Sequence, residues 1–222
     1  MLDEVAREGP ELSQNLSDIR RLNRWTGGTY LAVQHIFRVL KGRGGQVLDV
    51  GTGSADLLVA LNRRATKLGM SLELVGLDRS PAILVEAGRL VAGLPIELVQ
   101  ADALHLPFPD ASFDVVSCCL ALHHFPGTEA GAALAEMWRV ARRGVVVLDL
   151  ERGRVAYLAL SLLTHLASRN RLTRHDGPRS VLNGFTEIEL LAAGLNAGMT
   201  DVTVTPARPF RLVLVAKRPV VG

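Results

Sequence analysis

Gln46-Val47-Leu48-Asp49-Val50-Gly51-Thr52-Gly53-Ser54-Ala55-Asp56-Leu57 decides how the chain is to be read. An apolar run closes on a glycine-rich turn and a helical pattern follows, so the stretch predicts strand, tight turn and helix in that order. Gly51 and Gly53 permit a sharp turn and let a ligand approach the backbone closely. A helix beginning near Ala55 leaves free amide groups above that turn. Two acids set the loop apart from other nucleotide loops. A dinucleotide fingerprint places a third glycine where Asp56 stands, and a phosphate-binding P-loop ends in Gly-Lys-Ser/Thr. Asp49 adds another negative charge two residues before the first glycine. Such a loop repels a pyrophosphate and suits a ligand that carries positive charge and no phosphates.

Outward from this stretch, short β-branched runs alternate with helical patterns, which predicts parallel strands joined by crossover helices. Strands are expected at 47–50, 72–77, 96–100, 113–119 and 144–150, apolar enough to be covered on both faces. Helices are expected near 55–68, 81–91 and 128–141, with Ser80 capping and Pro81 in the first turn of the second. A helical region over about 17–40 precedes the first strand and bends at Gly27-Gly28. Near the end, Thr186 and Glu189 form a capping-box pattern for a helix that stops near Gly198. Strands at 201–205 and 211–217 follow, and the Pro206-Ala207-Arg208-Pro209 connection is short enough only for antiparallel neighbours. The expected architecture is one α/β Rossmann-like domain, with a seven-stranded, mostly parallel sheet ending in an antiparallel hairpin. Residues 1–42 form a helical lid segment and 43–222 the ligand-binding domain.

Bulk properties agree with a single folded domain. The chain has 222 residues, 48% of them hydrophobic, and a formal net charge of +3. Lys41, Lys67 and Lys217 are the only lysines, so the basic side is almost all arginine. A charge this small gives little reason to expect nucleic acid as a partner. The two cysteines, Cys118 and Cys119, are adjacent in an apolar run. Adjacent cysteines exclude a disulfide framework, fit a reducing cytoplasm, and lack the spacing of a metal site. The acidic, polar MLDEVAREGPELSQ is unlike a targeting peptide. No apolar run reaches the roughly 20 residues of a membrane span. Residues 155–167 are the most apolar helical stretch and are expected to be buried or to cover a ligand.

Asp78 closes the second strand at the distance from the glycine turn at which a carboxylate typically accepts from ribose hydroxyls. Asp102, just past the third strand, is near enough to face an adenine amino group. Ligands of such sheets bind at the carboxyl ends of the strands, where Asp49, Asp78 and Asp102 converge. The inferred ligand is a nucleoside with a cationic, amino-acid-like arm. With these residues in hand, the stretch from about 47 to 217 resembles the class I S-adenosylmethionine-dependent methyltransferases. Val47-Leu48-Asp49-Val50-Gly51-Thr52-Gly53-Ser54 is similar to that family's first motif. The resemblance implies a cofactor set of Asp49, Gly51, Thr52, Gly53, Asp78, Arg79, Asp102, Ala103, Cys119 and Leu120. In that set Asp49 lies near the methionine amino group, Asp78 holds the ribose and Asp102-Ala103 lies beside adenine. Leu122-His123-His124-Phe125 and Glu136-Met137-Trp138-Arg139-Val140 look most like the small-molecule branch related to ubiquinone and menaquinone methyltransferases. The chain departs from the family at Ala55, where a third glycine is usual, which is tolerable if φ there is negative. It departs again at Arg142-Arg143-Gly144, which stands where a longer turn is usual.

For the acceptor, His123 and His124 follow the fourth strand and are read either as a general base or as pocket lining. Arg169, Arg174, His165, His175 and Asp176 fall in the segment after the fifth strand; the arginines can hold an anionic acceptor or form a solvated turn. Trp25 and Tyr30 flank the glycine pair as lid residues or as ordinary packing. The resulting expectation is methyl transfer to O or C of a small hydrophobic, phenolic or polyketide-like acceptor, by a monomer or homodimer with no metal. The alternatives are an RNA methyltransferase and a non-catalytic cofactor-binding subunit. Ser117-Cys118-Cys119-Leu120 lacks the Asn/Asp-Pro-Pro-aromatic signature with which flipped bases are received, which argues against RNA.

Overall fold

The computed structural model describes residues 10–167 and 179–219. Its helices are α1 (Pro10–Trp25), α2 (Gly28–Leu40), α3 (Asp56–Lys67), α4 (Pro81–Val91), α5 (Glu129–Val140), α6 (Arg154–Ala167) and α7 (Glu187–Asn196). The strands are β1 (Gly45–Val50), β2 (Leu72–Asp78), β3 (Ile96–Gln100), β4 (Phe113–Cys119), β5 (Ala141–Leu150), β6 (Val202–Ala207) and β7 (Arg211–Lys217). They form one seven-stranded sheet in the order β3-β2-β1-β4-β5-β7-β6. β7 pairs antiparallel with both β5 and β6, and the remaining pairs are parallel.

Alternate residues of each strand feed two cores, one per face. Leu48, Val116, Val147 and Leu214 pack with Leu134, Met137 and Leu190 of α5 and α7. Val47, Val115, Val146 and Val213 pack with Ile36, Leu58 and Ala87 of α2, α3 and α4. Burying one such aliphatic side chain contributes about 1.5–3 kcal/mol, so this double layer is what fixes the strand ends in space.

The local signals operate as expected at several ends. Ser80 accepts from the Ile83 amide with Pro81 in the first turn of α4. At α7, Thr186 Oγ1 accepts from the Glu189 amide while the Glu189 carboxylate accepts from the Thr186 amide. The Glu136–Arg139 pair has a structural use. Arg139 donates to the carbonyls of Leu106 and Phe108, and Glu136 accepts from the Leu106 amide at 2.9 Å. The loop between β3 and β4, which carries Asp102, is thereby pinned to α5.

The structure corrects four expectations. β5 begins at Ala141 and not at 144, because α5 ends directly into it and Phe113 pairs with Ala141. Arg142 and Arg143 therefore lie in the strand, where both guanidiniums reach Asp114, at 3.2 and 3.0 Å. β6 runs on through Pro206 and Ala207, which an edge strand tolerates because the missing amide costs no ladder bond. Ala55 has φ +58°, not a negative value. Finally, of the two alternatives for α6 the buried one fails: Val155, Leu158 and Leu162 are exposed at 68, 67 and 62%, whereas Ala156 is buried, and a ligand-covering role is left. Among the described residues no helix is long and apolar enough to cross a membrane.

Candidate active site

The site lies at the carboxyl ends of the parallel strands. β1 delivers Asp49 into the sheet's interior, where it is 2% exposed. Its carboxylate accepts from Thr52 Oγ1 at 2.9 Å and Ser117 Oγ at 2.8 Å. Burial pushes this carboxyl up to about 7, with the two hydroxyls pulling the other way and Asp56 and Asp78 adding repulsion. A buried acid in this condition is stabilised by a cation brought beside it.

Beyond Asp49 the chain turns through Gly51 at φ +69° and Gly53 at φ +54°. A Cβ on Gly51 would meet the Ala121 Cβ at 2.6 Å, whereas nothing lies within 4 Å of one on Gly53. Gly51→Ala is expected to lower stability by about 2–5 kcal/mol, from the left-handed backbone and the overpacking together. Urea unfolding measures this, and a loss below about 1 kcal/mol would mean that the loop reorganises at little cost. Ala55 takes the left-handed conformation that a third glycine would have supplied; its side chain is fully buried in the α2–α3 core.

Asp56 opens α3, where a negative charge favours the helix dipole. It accepts from Ser54 Oγ at 3.0 Å and from Thr29 Oγ1 at 3.1 Å. The acid that replaces a dinucleotide-type glycine thus ties the start of α2 to the loop. Thr29 makes this link; Trp25 and Tyr30 on either side are exposed at 66 and 68%.

Asp78, at the end of β2, accepts from the Gly53 amide at 3.2 Å and the Ser80 amide at 3.0 Å, one on each oxygen. Burial raises its pKa against those backbone bonds. Asp102 is exposed and accepts from the Leu104 amide at 2.9 Å, next to buried Ala103. Arg79 is exposed. Cys119 ends β4 and Leu120 follows it, at φ +55° and with its amide on the Leu148 carbonyl. Burial drives both cysteine thiols well above their ordinary value, which disfavours the nucleophilic thiolate at either.

His123 and His124 sit in a single 3-10 turn after β4 and differ sharply. His124 is exposed. His123 is buried, its Nδ1 2.6 Å from Asp149 Oδ1 and its amide donating to Asp149 Oδ2 at 3.1 Å. Asp149, on β5, is fully buried. A carboxylate that accepts the Nδ1 proton leaves Nε2 as the ring's accepting nitrogen. The sequence reading did not single out Asp149. Its signal was present in Val145-Val146-Val147-Leu148-Asp149, an acid interrupting an apolar strand just as Asp49 does. Arg169, Arg174, His175 and Asp176 lie outside the described residues. Among the described residues no group of His, Cys, Asp and Glu is arranged to hold a metal.

Residues 47–144 match the family model described as a methyltransferase domain. Over this stretch the chain is similar to methyltransferases. The demethylmenaquinone methyltransferase of Deinococcus radiodurans is 42% identical over 109 residues, 48% of this chain and 42% of that protein. Its counterpart from Lactobacillus johnsonii is 33% identical over 62% of this chain and 54% of that protein. The chain thus spans about half the length of these curated relatives. The crystal structure of a SAM-dependent methyltransferase from Aquifex aeolicus shares the fold, with a TM-score of 0.62 at 18% identity over 89% of this chain and 96% of that one. The methyltransferase domain's cofactor is S-adenosylmethionine, and the side chains present fit it. Asp49 is a buried acid in want of a cation, Asp78 has lone pairs left for hydroxyls, and the glycine turn has no room for a Cβ at Gly51.

Proposed function

We propose that the chain transfers a methyl group from S-adenosylmethionine to O or C of a small hydrophobic acceptor with a hydroxylated aromatic or quinone-like ring. The observation that carries this reading is an acid-lined glycine loop beside a histidine held by a buried carboxylate on the next strand. Demethylmenaquinone, named for the relatives, supports an acceptor of that type. When bound, S-adenosylmethionine supplies a methyl group already activated on a sulfonium.

The chain's own task is then positioning. In this reading Asp78 accepts from the ribose hydroxyls while it holds Gly53 and Ser80 in place, and Asp102 lies at the base. Asp49 offsets the positive charge of the amino-acid arm. His123, oriented by Asp149, takes a proton at Nε2 from a hydroxyl or acidic carbon of the acceptor. His124, tilted against it with ring centroids 4.1 Å apart, lines the pocket. Residues 1–42 act as the lid, with Trp25 and Tyr30 presenting flat surfaces over the acceptor. Orientation of this kind supplies roughly 7–11 kcal/mol of a barrier, well above what the base adds.

His123→Gln is expected to lower kcat by roughly 10²–10⁴-fold, the usual contribution of a general base. Cofactor affinity stays unchanged, and Asp149→Asn has a similar but smaller effect. Steady-state assays on hydroxynaphthoquinones and simple phenols, paired with calorimetry, measure both quantities. Equal losses in kcat and in cofactor binding would make His123 a structural residue. Cofactor binding without turnover on any acceptor would favour the non-catalytic reading.

A further inference from the structure

Arg211 opens β7 and is 5% exposed, yet its guanidinium meets no carboxylate among the described residues. It donates to the Thr26 carbonyl at 3.2 Å and to Thr26 Oγ1. Its Nε is buried and has no hydrogen-bond partner among the described residues. A guanidinium has five N–H donors in a planar fork, so the edge containing Nε remains unsatisfied. Burying a cation without an anion is costly, and folds retain such an arrangement where a ligand supplies the missing charge.

Its position indicates which charge. β7 runs antiparallel to β5, so Arg211 pairs with Leu150 at the same end of the sheet as the carboxyl ends of β1 and β4. Strand alternation puts Arg211 on the α2–α3 face, with Val213 and Val215. Asp49 shares that face with Val47, and so does Cys119 with Val115. Asp49 and Arg211 are separated across the sheet by β4 and β5, three strand spacings of about 4.8 Å. The side chain shortens this gap, since the Cys119 thiol on β4 feels the charge of both Asp49 and Arg211. Gly28 makes room for it: a Cβ there would sit 3.3 Å from Cζ, Nε and Nη2. The bend at Gly27-Gly28 therefore lays α2 against a guanidinium that sits at the same end of the sheet as the acids of the site.

We infer that Arg211 anchors the carboxylate of the ligand's amino-acid arm, at the opposite end of that arm's charge pair from Asp49. This rests on the S-adenosylmethionine reading and extends it, because an acid at one end and a buried arginine at the other read a zwitterion. A cofactor lacking the carboxylate is refused not by size but by leaving Arg211 unpaired.

The test titrates S-adenosylmethionine and its decarboxylated analogue into the full-length chain, wild type and Arg211→Met, with thermal melts alongside. Wild type is expected to favour the carboxylate-bearing ligand by roughly 10- to 100-fold, the range for hydrogen bonds to a charged group. Arg211→Met erases that preference, leaves the analogue's affinity unchanged, and melts in the ligand-free state no lower than wild type. Gly28→Ala, which crowds the guanidinium without removing it, loses part of the preference and serves should the methionine variant fold poorly. A wild type that binds both ligands equally would overturn the inference. So would a methionine variant that weakens both alike, which would assign Arg211 to the acceptor or to the scaffold. Binding of neither ligand by wild type would remove the cofactor reading and this anchor with it.

Discussion

Asp78→Ala is expected to lower affinity for S-adenosylmethionine by roughly 10²–10⁴-fold, because on the proposed reading two charge-assisted hydrogen bonds at about 1.5–3 kcal/mol each are lost. Each Asp78 oxygen already accepts one backbone amide, from Gly53 on one side and Ser80 on the other. The carboxylate is thus held in a fixed orientation before ligand arrives, and its remaining lone pairs are what a ribose can use. Alanine removes both the acceptor and the strut that joins the glycine loop to β2. Stability falls less than affinity does, since burial had raised this group's pKa and removing it also removes a desolvation cost. Calorimetry on the variant, with NAD as a control ligand giving no heat, decides the matter. A loss of less than tenfold would show that Asp78 does not touch the ligand.

The second large effect concerns pH. Asp49 has a folded pKa raised to about 7 from 3.8, chiefly by burial. A carboxyl raised in this way contributes stability in full below the unfolded value. That contribution is lost as pH climbs from about 4 to about 7, and amounts to about 4 kcal/mol at most. Ligand-free protein is therefore expected to melt lower at pH 8 than at pH 5, over and above the effect of other groups. Asp49→Asn removes that difference and raises the melting temperature at pH 8, where the wild type carries a buried charge. Binding moves oppositely. A cationic arm favours ionised Asp49, so its binding releases a proton, and affinity tightens by up to about tenfold per pH unit until pH 7, then levels off. The asparagine variant binds weakly and without pH dependence. Titrations in buffers of different ionisation enthalpy count the released proton; a count of zero at pH 6 would show that Asp49 is already ionised or faces no cation.

Much of the fold was legible because its signals are local. The Gly51–Gly53 turn, the Ser80-Pro81 cap, the Thr186–Glu189 box and the largely apolar run of β4 each need only near neighbours. The acids at the ends of β1 and β2 were legible for a related reason: a charge at the end of an apolar strand has little structural use there. What escaped depends on distant partners. Whether α6 shows its apolar stripe to protein or to water is decided by what lies across from it. The left-handed backbone at Ala55 is imposed by the loop closing on Leu77 and Ala121, not by alanine's preference. Arg142 and Arg143 read as a turn until Asp114, on the neighbouring strand, draws them into β5. Asp149 and Arg211 acquire meaning only from His123 and Thr26, which lie far away in the chain.

The order of the strands has a consequence for how the protein comes into being on the ribosome. β7 slots between β5 and β6, placing Leu212 directly opposite Asp149. Until that hairpin has been made and has docked, β5 is an open edge and Asp149 stands in water, a poor brace for an imidazole. On the proposed reading, a chain cut short before residue 211 is expected to lack the brace that orients His123.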